Sequence, residues 1–101
     1  MAEWIYFIHP PRENFAETMS QIEREVWSTH FERLQRLLSN GTLILAGPTL
    51  GQINTGIAIF NAPDEEAARR LMEEDPTIAS GIATGELRPF RVSLLSGHEA
   101  V

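Results

Sequence analysis

One histidine and one aspartate carry most of the chemistry this chain could perform. His30 lies in the stretch Trp27-Ser28-Thr29-His30-Phe31-Glu32-Arg33-Leu34. There Val26, His30, Leu34 and Leu37 recur at helical spacing and share a face, with Trp27, Phe31 and Leu38 beside them. A titratable imidazole is thus set in an apolar stripe that should point inward. As a structural residue it would be a neutral core histidine bonded to a backbone carbonyl, because burial favours the uncharged ring. As a functional residue its ring tip faces a cleft between helix and sheet, where it can transfer a proton near neutral pH. Asp75, in Glu74-Asp75-Pro76, also has two roles open to it. It can cap the following turn through Thr77 or Ile78. Alternatively, its carboxylate can bond Nδ1 of His30, fixing the tautomer and raising the basicity of the ring.

The elements that must bring these two together follow from the pattern of the chain. Trp4 to Ile8 is a compact apolar run that reads as a strand, ended by His9-Pro10-Pro11. A polar connection from Arg12 to Thr18 leads into a helix from about Met19 to Ser39, with Met19, Ile22, Val26, His30, Leu34 and Leu37 inward. Asn40-Gly41 supplies its left-handed stop. Thr42 to Ala46 reads as the second strand, closed by Gly47-Pro48, and Gly56 to Phe60 as the third. Leu50 to Thr55 is the loop between them. Asp64 is a credible N-cap for a second helix that buries Ala67, Ala68, Leu71 and Met72 and stops by Asp75, ahead of a proline. Thr77 to Gly81 reads as a short helical turn or tight loop, and Gly81 and Gly85 as turn glycines. The last strand is expected within Leu87 to Leu95, and Gly97 to Val101 as a loose tail.

The order β-α-β-β-α-β is that of a ferredoxin-like α+β fold: a four-stranded antiparallel sheet with two helices on one face. The first three strands are apolar on both alternating sets, whereas an antiparallel sheet with one wet face alternates with polar residues. The second face therefore needs a cover, and a second copy of the chain is the simplest one. A homodimer with sheets packed face to face is expected.

Composition narrows the function. The 101 residues suit one domain, 43% hydrophobic and 22% charged. A net charge of −6 and the lack of any lysine argue against nucleic acid, whose phosphates need a basic surface, and against charge-driven membrane binding. Without cysteine there is no disulfide, thiolate catalysis or Cys-based metal site. His9, His30 and His98 lack ligand spacing, so no metal is expected. No run approaches the roughly 20 apolar residues that span a bilayer. The start lacks the basic region of a signal peptide, which makes a cytoplasmic protein the default. No phosphate loop or serine-nucleophile motif is present, and no cofactor is called for.

The order His30-Phe31-Glu32-Arg33-Leu34, Gly41-Thr42-Leu43-Ile44-Leu45-Ala46-Gly47-Pro48, Glu66-Ala67 and Asp75-Pro76 with Ala79-Ser80-Gly81 resembles the YCII-related (YciI-like) proteins, from Tyr6 to about Val92. The resemblance implies a dimeric α+β barrel and a His–Asp active site at His30 and Asp75. It also implies that Gly47 and Pro48 line the same pocket. Trp27 and Phe31 could stack on a planar ligand there, or simply fill the core. His9 could face the pocket mouth, or sit exposed at a strand end. His98 falls in the tail.

Two functions fit. In the first, the chain is a cofactor-independent enzyme of small organic molecules. His30 is then the general acid/base and Asp75 its orienting partner, for proton abstraction beside a carbonyl, isomerisation or elimination. In the second, it is a non-catalytic dimeric module that binds a small ligand or a partner protein, with His30–Asp75 as a structural pair. An oxygen-using monooxygenase has no specific residue in its favour.

Overall fold

A computed structural model describes residues 2–97 of the chain. Of the expected tail only Gly97 is among them; His98 to Val101 lie outside the described residues. The elements are β1 (Ala2–His9), α1 (Phe15–Thr18), α2 (Gln21–Ser39), β2 (Leu43–Pro48), β3 (Gly56–Ala62), α3 (Glu65–Glu73), α4 (Pro76–Ala79) and β4 (Thr84–Phe90). The strands form one sheet in the order β2-β3-β1-β4, every neighbouring pair antiparallel. This is the expected ferredoxin-like arrangement, with two short helices added.

Strand alternation divides the apolar residues between the two faces. Trp4, Tyr6 and Ile8 of β1 and Ala58, Phe60 and Ala62 of β3 join Leu34 of α2 and Ala68 and Met72 of α3 in the core. Tyr6 and Phe60 are fully buried and meet edge to face, ring centroids 5.6 Å apart. Ile5 and Ile59, paired across β1 and β3, belong to the opposite face.

The helix that carries His30 is fixed at both ends. Ser20 and Glu23 form a reciprocal capping box at its start, and Arg12 grips the Glu23 carboxylate through two bonds of 3.0 and 2.8 Å. Those bonds, with the Ser20 backbone bond next, hold the Glu23 carboxyl down at about 2. At the other end Gly41, at φ 85°, makes the left-handed turn that its sequence position foretold.

Four expectations need correction. The stretch Arg12 to Thr18 is not simply a polar connection, because Phe15 within it is 2% exposed and opens α1, packed 4.7 Å from the Trp27 ring. Burying one such side chain contributes about 1.5–3 kcal/mol, enough to fold a short helix onto the core. Ile22, expected inward, is exposed in the first turn of α2, which starts at Gln21. The last strand is Thr84–Phe90, earlier than Leu87 to Leu95, because its register on β1 runs from His9↔Thr84 to Glu3↔Phe90 and ends where β1 ends. Leu94, beyond it, is exposed. Gly85 is a strand residue rather than a turn glycine: a Cβ there would lie 2.7 Å from Ile78 Cδ1 and 3.0 Å from Met72 Sδ. Its missing side chain lets α3 and α4 close onto β4. Gly81, at φ 81°, is a turn residue as expected.

Candidate active site

Asp75 reaches the core because two helices meet at it. The chain leaves α3 and adopts φ −61° and ψ 128° at Asp75, the extended conformation favoured before a proline, and Pro76 opens α4. Oδ1 accepts from the Thr77 amide at 2.9 Å and from the Thr77 hydroxyl at 2.7 Å. The capping role is therefore real. The other role is real as well, since the same carboxylate meets His30 Nδ1 at 3.0 Å (Oδ1) and 2.9 Å (Oδ2). One side chain serves both functions.

The pair is buried: His30 is 9% exposed, and Asp75 and Thr77 are fully enclosed. Tyr6 completes the set, donating its hydroxyl to Asp75 Oδ2 at 2.6 Å. Arg33 Nη1 stands 3.8 Å from the same oxygen, and Nη2 donates to the Leu71 carbonyl at 2.8 Å. Burial pushes the Asp75 carboxyl up. The hydrogen bond and charge of His30, with the bonds from Tyr6 and Thr77, outweigh it and bring the group down to about 2. Burial, then the charge and hydrogen bond of Asp75, push the Tyr6 phenol well above its ordinary range, so it stays protonated as a donor. An ionised carboxylate only accepts, so Nδ1 of His30 carries the proton toward Asp75. That assignment leaves Nε2 with its lone pair in the neutral ring, and Nε2 makes no hydrogen bond within the described residues.

His30 also lines a pocket of about 610 Å³ between α2 and the β2–β3 half of the sheet. Trp27, Phe31, Leu34, Gly47 and Pro48 form much of its wall, and Phe15 and Met19 close one end. Among the residues that line it, His30 is the only one with an ionisable side chain. A β-bulge between Leu43 and Leu45 shifts the register of β2 beside the pocket. Gly47 and Pro48 lie within β2, which runs two residues past the expected strand end at Ala46, and an edge strand tolerates the proline.

Five of the six residues picked out from the sequence thus gather here: His30, Asp75, Trp27, Gly47 and Pro48. His9 does not. Ile8 takes the core side of β1, so His9 points to the other face, where its ring stacks on Phe7 and meets Glu86 Oε1 at 3.0 Å. Sequence reasoning missed Tyr6 and Arg33 as partners of Asp75. A signal for Tyr6 existed: it shares the inward register of Trp4 and Ile8, where a phenol must find an acceptor.

The YCII-related domain model matches residues 4–91. The chain belongs to the YCII-related family. No curated relative matches it. Among solved structures it is similar to the 5-chloro-2-hydroxyhydroquinone dehydrochlorinase of Burkholderia phenoliruptrix AC1100, in complex with 2,5-dihydroxybenzoquinone. That likeness has a TM-score of 0.65 at 16% identity, over 87% of this chain and 93% of the other. At that identity it speaks for the fold. No helix among the described residues is long and apolar enough to cross a membrane. Among the same residues no three His, Asp or Glu side chains cluster to hold a metal ion.

Proposed function

We propose that this YCII-related protein is an enzyme that moves protons on a small organic molecule, with His30 as general acid/base and Asp75 as its orienting partner. The observation that carries the reading is the division of the imidazole: Nδ1 is held by a buried carboxylate, and the ring lines an apolar pocket in which it is the only ionisable group. A base within reach of a bound C–H or O–H, on a ring fixed in one tautomer, suits proton abstraction, isomerisation or elimination. The name of the similar structure supports this, since dehydrochlorination is an elimination, and the 2,5-dihydroxybenzoquinone bound to that protein is a small ring. Trp27 and Phe31 offer faces on which such a ring can stack, and Gly47 and Pro48 bound it from the sheet side. No cofactor is needed for any of these reactions.

The experiment is a thermal-shift screen of small cyclic ketones, lactones and hydroxyquinones, followed by turnover assays on the hits. Turnover that falls in His30→Ala while the fold persists supports the reading. Binding that survives His30→Ala with no turnover of any hit favours a ligand-binding module instead.

We further propose that the active form is a homodimer joined through the face of the sheet opposite the helices. Phe7 and Ile57 lie half-buried on that face, beside Ile5 and Ile59, which are already buried in the single chain, and Leu45 and Phe90 are exposed at 40% and 41%. An apolar face of this kind calls for a cover. Ile57→Arg, which places a charge in its middle, should convert a dimer to a monomer in sedimentation analysis; a wild-type monomer would refute the assembly.

A further inference from the structure

We propose that Arg33 is a positioning residue for His30: its guanidinium supplies the counter-charge to Asp75, so the carboxylate orients the imidazole without leaving the site a net negative charge. The inference rests on the reading of His30 as a base, and it concerns a residue that does not touch the pocket. Arg33 lines a separate shallow groove between α2 and α3, with Arg36, Leu37, Ala67 and Leu71. It reaches Asp75 from that side.

Three observations carry the argument. Nη1 of Arg33 is buried and is the one buried side-chain nitrogen or oxygen among the described residues without a hydrogen-bond partner, yet it stands 3.8 Å from Asp75 Oδ2. A buried guanidinium nitrogen without a hydrogen bond is costly, and the nearby carboxylate charge offsets the cost. Nη2 is tied to the Leu71 carbonyl at 2.8 Å, so the guanidinium is braced by α3 rather than free to swing into solvent. Finally, the direct bonds to the carboxylate come from the Thr77 amide and hydroxyl, the Tyr6 hydroxyl and His30 Nδ1, and among these only the imidazole can carry a positive charge.

The charges facing His30 can be named element by element. Tyr6 on β1 is a neutral donor, Asp75 at the junction of α3 and α4 is negative, and Arg33 on α2 is positive. The pocket walls from α1, β2 and β3 add no ionisable group. With Arg33 in place, the negative and positive charges cancel around a neutral ring. When the ring takes a proton from a neutral ligand, the imidazolium and the ligand anion form together and the site stays neutral. Without Arg33, that anion would arise beside an uncompensated carboxylate, and the imidazolium would be favoured before any ligand arrived.

The test follows the His30 ring signals with pH, by long-range nitrogen–proton NMR on the ligand-free protein, assigned with His30→Asn. In Arg33→Gln, which loses the charge but keeps a donor toward Leu71, the midpoint of the His30 titration should rise by about one pH unit relative to wild type. This follows from removing one positive charge from a partly buried site of reduced dielectric. Arg33→Lys should bring the midpoint back to near the wild-type value. A shift in Arg33→Gln below about 0.3 unit overturns the proposal. So does a shift of equal size in both variants, or failure of both to fold, since either would make Arg33 a structural residue. None of these readouts requires turnover. The expected shifts together with an inactive pocket would support the charge balance between Arg33 and Asp75 and sink only the enzymatic reading of the pocket.

Discussion

Replacing Asp75 by asparagine removes one charge and almost no volume, so its cost isolates what the carboxylate does. In the folded chain this group accepts from the Thr77 amide, the Thr77 hydroxyl, the Tyr6 hydroxyl and His30, and faces Arg33 at 3.8 Å. Burial opposes its ionisation, but the His30 bond and charge, then Tyr6 and Thr77, hold it at about 2. An unfolded aspartate titrates near 4, so the difference of just under two units corresponds to roughly 2.5 kcal/mol of stability at neutral pH. The substituted amide also turns an N–H toward groups that themselves donate, and it strands the Arg33 charge, which brings the expected cost of Asp75→Asn to about 3 kcal/mol. For a chain of this size that is a fall in Tm of about 10–20 °C at pH 7. The sign with pH is fixed by the direction of the shift. A depressed carboxyl stabilises above its unfolded value, and that stability is lost as pH falls through its folded value, here between about 4 and 2. Thermal unfolding of wild type and Asp75→Asn at pH 7 and again at pH 2.5 checks both parts. The gap should narrow by about half or more at the lower pH. A Tm within about 3 °C of wild type at pH 7, or a gap as wide at pH 2.5 as at pH 7, would refute the reasoning.

Other outcomes follow from the same contacts. Tyr6→Phe deletes a 2.6 Å bond to a buried charge and should cost about 2 kcal/mol by urea denaturation; a loss under 0.5 kcal/mol would mean the hydroxyl is not needed there. His30→Ala should lower turnover on the order of 10²–10⁴-fold with an unchanged far-ultraviolet spectrum. His30→Asn keeps a donor toward Asp75, so its Tm at pH 7 should stay near that of wild type or above it, whereas a clear fall would mark the pair as structural. Gly85→Val forces a branched side chain against Ile78 and Met72, where even a Cβ would lie 2.7 Å from Ile78 Cδ1, and should cost about 2 kcal/mol. An unchanged denaturation midpoint in that variant would show that α3 and α4 have room to move off β4.

His30 and Asp75 could be read from the sequence because each is marked by short-range pattern. The imidazole interrupts an apolar stripe at helical spacing, and the aspartate precedes a proline at a helix end. The two readings weighed for Asp75 as alternatives are combined in the fold, since Oδ1 caps α4 and takes the Nδ1 proton as well. What the pattern hid was long-range. Tyr6 sits 69 residues from Asp75, inside a run whose aromatic character announces a strand and says nothing of an acceptor. Arg33 looks like a helix-surface charge until α3 folds against it. Phe15 is a single aromatic in a polar stretch, so the helix that closes the pocket left no periodicity to find. The alternation from Phe90 to Leu95 imitates a strand, yet β4 must match β1, and β1 is used up at Glu3↔Phe90. His9 takes the exposed strand-end position, one of its two readings, because of the parity of its position next to Ile8.

The central claim is that the free edge of the His30 ring is where a bound molecule meets a base. Soaking a crystal with the strongest hits of the thermal-shift screen tests it most directly. The account predicts density for the ligand within the pocket walled by Trp27, Phe31, Gly47 and Pro48, with an oxygen or an acidic carbon about 3 Å from His30 Nε2. Ligands that settle elsewhere on the chain, or fill this pocket with Nε2 turned away from them, would contradict it.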